Sequence, residues 1–251
     1  MMIQIQHHGK SYQADLTKTI DISIPLEAGT ETVNCFYAPP MTVSPVVAGD
    51  FIGATQQGGP VNFMNVALNP HGNGTHTECV GHIAKEKYTI NQSLRTFHFV
   101  AKLISITPVT LSNGDQVIQK AQLENLLHKA EVRALIIRTL PNHSAKMRTN
   151  YSGENPTYLT EDAMDYVVSC GIEHFLIDLP SVDRAEDEGK LLAHHSFWQY
   201  PDAVRTTATI SELIYVPDSI RDDLYLLNLQ IASFEIDVSP SKPVLYALTT
   251  I

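Results

Sequence analysis

A glycine-rich segment over residues 70–82 carries three histidines and one glutamate, in the order Pro-His-Gly-Asn-Gly-Thr-His-Thr-Glu-Cys-Val-Gly-His. His76 and Glu78 lie two residues apart, so their side chains point to the same side of an extended backbone. His82 falls on that side too if the extended conformation continues through Val80. Neutral imidazole and carboxylate oxygen are ligands that zinc and similar divalent ions prefer. The segment therefore predicts a metal site or an acid–base site rather than an ordinary surface loop.

Composition limits the partners and the compartment. The chain has 251 residues, 43% of them hydrophobic, and a formal net charge of −10 from 27 acidic and 17 basic residues. Binding of nucleic acid requires a basic stripe, which this sequence lacks, so no nucleic-acid partner is expected. No apolar run reaches the length of a membrane span, and the first residues do not resemble a signal peptide. Cys35, Cys79 and Cys170 form neither a disulfide framework nor a CxxC zinc pattern, which favours a reducing, cytoplasmic location.

The elements that must position these groups alternate between strand and helix. Strands are predicted at residues 61–68, 97–106, 133–138, 174–178, 207–216, 224–236 and 243–248. Helices are predicted at residues 117–130, 160–171 and 189–198, with Thr160 as N-cap and Gly171 as the stop signal of the second. No internal repeat and no linker divides the chain. The expected fold is α/β, with a single domain over residues 1–251 and a mixed β-sheet core with flanking helices.

Further titratable residues follow the later elements. Asp178 and Asp183 come directly after a predicted buried strand, where ligands of open α/β sheets bind, although a strand-end cap and an Asx turn are equally good interpretations. His194 and His195 point about 100° apart on a helix, so at most one can serve a given centre. Glu212 lies in an apolar strand. It either has a buried partner or faces water on an edge strand, and the sequence leaves both open.

The chain resembles the cyclase family, which contains bacterial kynurenine formamidase and related metal-dependent hydrolases. Residues 74–82 resemble its H-x-G-T-H-x-D-x-P-x-H signature, and residues 21–23 resemble its early D-L-S. Residues 177–183 resemble its D-x-x-S-V-D, while His194 and Glu212 resemble its late His and Glu. The resemblance covers most of the chain. It implies the swivelling β/β/α fold of that family and a homodimer or homotetramer.

Carried over by position, the resemblance assigns one role to each candidate residue. The implied metal ligands are His71, His76, Glu78, His194 and Glu212. Glu78 takes the place of a bridging aspartate, and His82 takes the place of the acid–base histidine. His194 is preferred to His195 because the family's histidine often follows a small residue. The implied cofactor is a divalent ion, with zinc expected first and manganese second.

The signature is not matched at every position. Gly72 stands where the first histidine is expected, and His71 lies one residue early. A bulge across residues 72–74 is predicted to turn the His71 imidazole toward the other candidate ligands. Glu78 replaces aspartate, which moves the carboxylate outward by about 1.5 Å, and Val80 replaces proline. Whether two metal ions, one or none are bound therefore stays open.

The leading functional hypothesis is a metal-dependent, arylformamidase-like hydrolase of an amide or ester bond in a small carbonyl substrate. His82 would transfer a proton to the leaving group. Phe36, Tyr37 and Trp198 line the substrate site or form ordinary core, and core is favoured. One alternative is a non-catalytic small-molecule-binding protein on the same fold. Another is a metal-free acid–base enzyme that uses His82 with Glu78.

Overall fold

A computed structural model describes all 251 residues. The strands are β1 (Met2–His7), β2 (Lys10–Asp15), β3 (Ile20–Asp21), β4 (Thr42–Pro45), β5 (Val47–Ala48), β6 (Phe51–Ile52), β7 (Met64–Ala67), β8 (His76–Glu78), β9 (His98–Ile106), β10 (Val109–Thr110), β11 (Gln116–Ile118), β12 (Ala134–Thr139), β13 (Tyr158–Leu159), β14 (His174–Ile177), β15 (Thr209–Glu212), β16 (Leu224–Ile231), β17 (Val238–Ala247) and β18 (Thr249–Thr250).

The α-helices are short, and none of them combines the length and the apolar character that crossing a membrane requires. They are α1 (Pro70–Asn73), α2 (Ile90–Ser93), α3 (Lys120–Glu124), α4 (Glu161–Ser169) and α5 (Leu192–Trp198), and 3₁₀ turns lie at Thr55–Gln57, Val80–His82 and Ser144–Arg148. The helix predicted at residues 117–130 is confirmed only over Lys120–Glu124, and residues 125–130 form no helix. Residues 116–118 form β11, because pairing with β10 and β13 satisfies their backbone groups there.

The core is a mixed sheet in the strand order β16-β9-β12-β14-β15-β8-β17-β3. Strands β9, β12, β14 and β15 are parallel to their neighbours in this set, whereas β8, β16 and β17 pair in antiparallel fashion. Pairing of β16 with β17 closes the sheet into a barrel, which removes most exposed strand edges. The predicted fold class, α/β with a mixed β-sheet core and flanking helices, is confirmed.

The sheet is buried on both faces, as continuous apolar strands require. Ile137 packs in a hydrophobic cluster with helices α3, α4 and α5, whereas its neighbour Ile136 packs in a second cluster on the opposite face. Trp198 is fully buried in the first cluster, so core packing, the favoured interpretation of this residue, is confirmed. Cys79 lies in the second cluster, where burial raises the pKa of its thiol.

The register of β8 sets the position of the candidate site. In the antiparallel pairing of β8 with β15, His76 lies opposite Glu212 and Glu78 lies opposite Ile210. Thr77 points to the other face, where its Oγ1 lies 2.7 Å from Oγ of Ser211. Alternation along β8 therefore directs His76 and Glu78 to one side, as expected, and strand pairing adds Glu212 to them.

His174, at the start of β14, gives the fold a predictable pH dependence. Its Nδ1 lies 2.9 Å from Thr209 Oγ1, and burial lowers the pKa of the imidazole to about 4 from 6.5. As the pH falls below 6.5 the unfolded chain takes up this proton first. The contribution of His174 to stability is therefore complete above pH 6.5 and is lost as the pH falls toward 4.

We expect the free energy of unfolding to fall between pH 7 and pH 4 by about 3 kcal/mol more in the wild type than in a His174→Asn variant. Asparagine keeps a polar group near Thr209 but does not titrate in this range. Urea unfolding at a series of pH values measures the difference. Equal pH slopes in the two proteins would contradict it.

Candidate metal centre

The one-turn helix α1 brings His71 to the site. The Asn69 side chain accepts a hydrogen bond from the backbone N–H of Gly72 (3.2 Å) and so caps this turn. The bulge predicted across residues 72–74 is wrong, because the chain forms helix α1 there instead. A Cβ at Gly72 would overlap the Cβ of Ala38. A histidine at position 72 is therefore sterically excluded, and the helical turn presents His71 from the preceding position.

His82 also arrives by a turn and not by extended backbone. After β8 the chain enters the 3₁₀ turn Val80–His82, so the parity argument for His82 through Val80 is wrong. A Cβ at Gly81 would overlap the carbonyl oxygen of Tyr88, which explains why glycine occupies this tight turn. The turn nevertheless places His82 Nδ1 3.7 Å from Glu78 Oε2.

Glu78 lies at the centre of the cluster and is fully buried. Its Oε1 lies 3.1 Å from Nε2 of His194, and its Oε2 lies 3.2 Å from Nδ1 of His71. Burial opposes ionisation of this carboxyl, but the positive charge of His82 and hydrogen bonds from His194 and His71 hold its pKa well below the usual value. Glu78 is therefore an ionised carboxylate whose two oxygens face different imidazoles.

Glu212 ends β15 beside this carboxylate. Because β15 lies between β14 and β8 and Glu212 is only 3% exposed, the water-facing position on an edge strand is wrong. Its Oε2 lies 3.3 Å from His76 Nε2, and its Oε1 lies 3.9 Å from His194 Nε2. The backbone N–H of Val182 donates to Oε1 at 2.9 Å and fixes the carboxylate. The structure thus brings together all six candidate residues, which are His71, His76, Glu78, His82, His194 and Glu212.

The imidazoles of His71, His76 and His194 each have one ring nitrogen bonded to a group outside the cluster, while the other nitrogen is directed into the cluster. The outward contacts are His71 Nε2 to Asp237 Oδ2 at 2.9 Å, His76 Nδ1 to the Gly74 carbonyl at 2.9 Å, and His194 Nδ1 to Asp183 Oδ2 at 2.6 Å. These partners are acceptors, so each outward nitrogen carries the hydrogen. The inward nitrogens face Glu78 or Glu212. Metal-binding histidines are typically held by such outer acceptors.

His76 shows most directly that the cluster fits a cation. Its hydrogen lies on Nδ1, because the Gly74 carbonyl can only accept. In the neutral ring the Nε2 lone pair then faces a carboxylate oxygen of Glu212, which is also an acceptor, at 3.3 Å. His76 Nε2 is buried without a hydrogen-bond partner. Only a positive charge between such groups, a second proton or a metal ion, makes this arrangement favourable.

The titration of the surrounding groups agrees with this need for positive charge. Burial alone would lower the pKa of His71, but hydrogen bonds and charges from Asp237 and Glu78 raise it to about 10. His194 is likewise held well above its usual pKa against its burial, by Asp183 and Glu78. Protons on these imidazoles balance the carboxylates when no metal ion is bound. A metal ion would have to displace them, so its affinity falls as the pH falls.

Asp237 is a site residue that the sequence did not predict. It precedes β17, lies 166 positions from His71, and also approaches His82, with 3.4 Å between its Oδ2 and Nδ1 of that ring. Hydrogen bonds from His71 and His82 hold the pKa of Asp237 well below its usual value. No local pattern marks this residue, because only the pairing of β17 with β8 brings it to the cluster.

Of the other titratable residues considered from the sequence, Asp183 supports the cluster, whereas Asp178 and His195 lie outside it. Asp183 orients His194, and its carboxylate also accepts the backbone N–H groups at the start of helix α5. Asp178 forms a strand-end brace, with Oδ2 2.7 Å from Nζ of Lys146. His195 points away from the cluster, and its Nδ1 lies 3.1 Å from the carbonyl oxygen of Tyr200.

The cluster forms the floor of a cavity of about 250 Å³. His71, His82, His194 and Glu212 are exposed to this space, whereas Phe36 lies at its mouth and is 48% exposed. Core packing, the favoured interpretation of Phe36, is therefore wrong. Tyr37 is also outside the core and lines neighbouring depressions in the surface.

The sequence matches a family model and several relatives. The model of the Cyclase family, described as "Putative cyclase", matches residues 20–184. A kynurenine formamidase of Bacillus cereus is 26% identical over 191 residues, which cover 76% of this chain and 82% of that protein.

Two solved structures share the fold at low sequence identity. The "predicted metal-dependent hydrolase from Bacillus stearothermophilus" superimposes with a TM-score of 0.61 and 17% identity, covering 91% of this chain and 98% of that one. An isatin hydrolase bound to the product analogue thioisatinate gives a TM-score of 0.66 and 14% identity, with 92% and 93% covered. Because the family model matches well over half of the sequence, the chain belongs to the Cyclase family.

Proposed function

We propose that this protein is a metal-dependent hydrolase that cleaves a C–N amide bond, or an ester or lactone bond, of a small carbonyl substrate. The observation that carries the proposal is that three imidazoles, those of His71, His76 and His194, each direct one nitrogen toward Glu78 or Glu212 while the other nitrogen is bonded to an acceptor. The names of the relatives, kynurenine formamidase and isatin hydrolase, support an arylformamidase-like reaction.

The residues that would hold a divalent ion are His71, His76, Glu78, His194 and Glu212. Imidazole nitrogens together with carboxylate oxygens suit zinc first, and manganese second. When bound, such an ion supplies Lewis acidity at the floor of the cavity. Glu78 is the candidate for a carboxylate shared between two ions, because its oxygens face different histidines.

His82 is the candidate acid–base residue. It is partly exposed, lines the cavity, and turns Nδ1 toward the carboxylates of Asp237 and Glu78. Nε2, on the opposite edge of the ring, is then the atom available to exchange a proton with a substrate. Asp237 restricts the rotation of this imidazole, so that a proton on the ring is held at a defined position.

We also propose a homodimer or homotetramer, with a small molecule as the ligand and no nucleic-acid partner. Strands β4 and β7 form a two-stranded ribbon that leaves apolar side chains in water at Val43, Met64 and Val66, and Phe63 directly before β7 is exposed as well. A two-stranded ribbon with exposed apolar residues is marginally stable alone and is typical of a contact surface. Sedimentation equilibrium measures the state directly, and a monomer at micromolar concentration would contradict it.

The decisive experiment for the proposed function measures metal content and hydrolysis on the same samples. We expect protein stripped with a chelator to lose the hydrolysis of an arylformamide such as formanilide, and zinc or manganese to restore it. Elemental analysis should find at least about one ion per chain after reloading. Activity that survives complete chelation favours the metal-free acid–base alternative. Failure to bind metal under any loading condition favours a non-catalytic binding protein.

A further inference from the structure

The cavity above the histidine cluster has one arginine in its wall. Arg184 follows Asp183 in the loop after β14, lines the same space as His82 and His194, and has a side chain that is 40% exposed. No lysine and no second arginine lines this cavity. A guanidinium facing a substrate-sized space is the side chain that best matches a planar anion such as a carboxylate.

The protein holds this guanidinium in place but does not use all of its donors. Nε donates to Oδ2 of Asp115 at 3.0 Å, and Nη1 donates to the carbonyl oxygen of Glu186. Nη2 has no hydrogen-bond partner within the chain. Because two hydrogen bonds already hold the guanidinium, its side chain loses little conformational entropy when the free Nη2 donor binds a ligand.

The carboxylate of Asp115 that pairs with Arg184 also accepts hydrogen bonds from three uncharged donors. Tyr158 Oη lies 2.8 Å away, Asn155 Nδ2 2.7 Å and Asn113 Nδ2 3.1 Å. The negative charge of Asp115 is therefore spread over four hydrogen bonds. These donors disperse the charge of Asp115, and the unused Nη2 of Arg184 is the donor that a further anion can bind.

The acidic residues around the cavity are occupied elsewhere. Asp187 accepts the backbone N–H of Gly189 at 2.9 Å and that of Leu191 at 2.6 Å. Glu212 lines the cavity, but its carboxylate faces His76 and accepts the backbone N–H of Val182. Neither carboxylate forms an ion pair with Arg184, which leaves its free edge for a ligand.

Phe36 supplies an apolar surface at the mouth of the same cavity. Its backbone has φ +58°, a left-handed conformation that is uncommon for a bulky residue. The neighbouring Cys35 fixes this loop through its Sγ, which lies 3.3 Å from the carbonyl oxygen of His71. Strained residues held by their surroundings are typical of ligand sites.

We propose that Arg184 binds a carboxylate of the substrate while Phe36 packs against its apolar part, so that the enzyme selects small acids with an apolar body. The identity of the ligand as a substrate rests on the proposed function, whereas anion binding at Arg184 does not. The recognition group lies on the loop between β14 and helix α5, beside His194. It therefore selects the molecule that reaches the cluster without taking part in bond cleavage.

Benzoate and its neutral isostere benzamide test this proposal by isothermal titration calorimetry without any turnover. We expect the metal-loaded wild type to bind benzoate at least about tenfold more tightly than benzamide. An Arg184→Gln variant should lose that preference while keeping its affinity for benzamide. Arg133→Gln is the matched control, because it removes the same charge from a surface pair with Glu173 outside the cavity. It should keep the wild-type preference.

Benzoate can also bind a metal ion directly, so the titrations are repeated on chelated protein. A preference that survives in Arg184→Gln and disappears on chelation would overturn the proposal, as would equal affinities of the wild type for the two ligands or no benzoate binding at all. If Arg184→Gln does not fold, modification of the wild type by phenylglyoxal decides. Benzoate, but not benzamide, should protect Arg184 in mass spectra, and equal modification overturns the proposal. Loss of hydrolysis with intact benzoate selectivity would refute only the proposed function.

Discussion

A His82→Ala variant is expected to hydrolyse an arylformamide at least about 100-fold more slowly than the wild type, with its metal content unchanged. His82 lies at the edge of the cluster and is open to the cavity, so its removal takes away a proton-transfer group. The candidate metal ligands keep their own contacts with Glu78 and Glu212. The measurement is kcat at neutral pH together with elemental analysis of the same preparation.

His195→Ala is the matched control for this experiment. His195 lies on helix α5 next to His194, but its Nδ1 is engaged by the carbonyl oxygen of Tyr200. Its replacement should change kcat by less than about threefold, because its side chain reaches neither the cavity nor the cluster. Hydrolysis that is unchanged in His82→Ala, or reduced equally in both variants, would refute the acid–base assignment.

Replacement of Glu78 by glutamine is expected to weaken metal binding by more than about 100-fold. Loss of a residue that only supports a metal ligand costs up to about 100-fold, and Glu78 is proposed as a ligand itself. Glu78 is the only carboxylate whose two oxygens approach imidazoles of both His71 and His194. Glutamine keeps the size of the side chain but removes its charge, and hydrolysis should be lost together with the metal. Competition with a chromogenic chelator measures the affinity.

The pH dependence gives this prediction a second readout. In the wild type, the raised pKa values of His71 and His194 mean that protons compete with the metal ion, so affinity should rise as the pH rises. Glu235→Gln is the control, because Glu235 pairs with surface residues at Asn91 and Gln92. Wild-type metal affinity in Glu78→Gln would show that the ion, if present, binds elsewhere.

Local sequence pattern was sufficient for the central pair of the cluster. His76 and Glu78 are two residues apart on β8, and the alternation of an extended chain directs them to one side. The buried strands β12 and β14, and helix α4 between them, were also predictable, because their apolar residues recur at strand and helix periods. These features depend on neighbouring residues only.

The approach of His71 and His82 could be expected, but the local conformations that achieve it could not. The predicted bulge is helix α1, and Ala38 leaves no room for a side chain at position 72. The predicted extended path is a 3₁₀ turn, and the carbonyl of Tyr88 leaves no room for a side chain at position 81. In each case a residue outside the local segment restricts the position to glycine, and such contacts cannot be read from the local sequence.

The sequence by itself determined the kind of chemistry, since imidazole and carboxylate groups within residues 71–82 limit the site to metal binding or proton transfer. Tertiary structure alone decided which distant residues complete it. Glu212 joins His76 through the register of β15 against β8, and Asp237 reaches His71 through β17. Strand pairing between remote segments is set by packing of the whole barrel, so no local pattern encodes it.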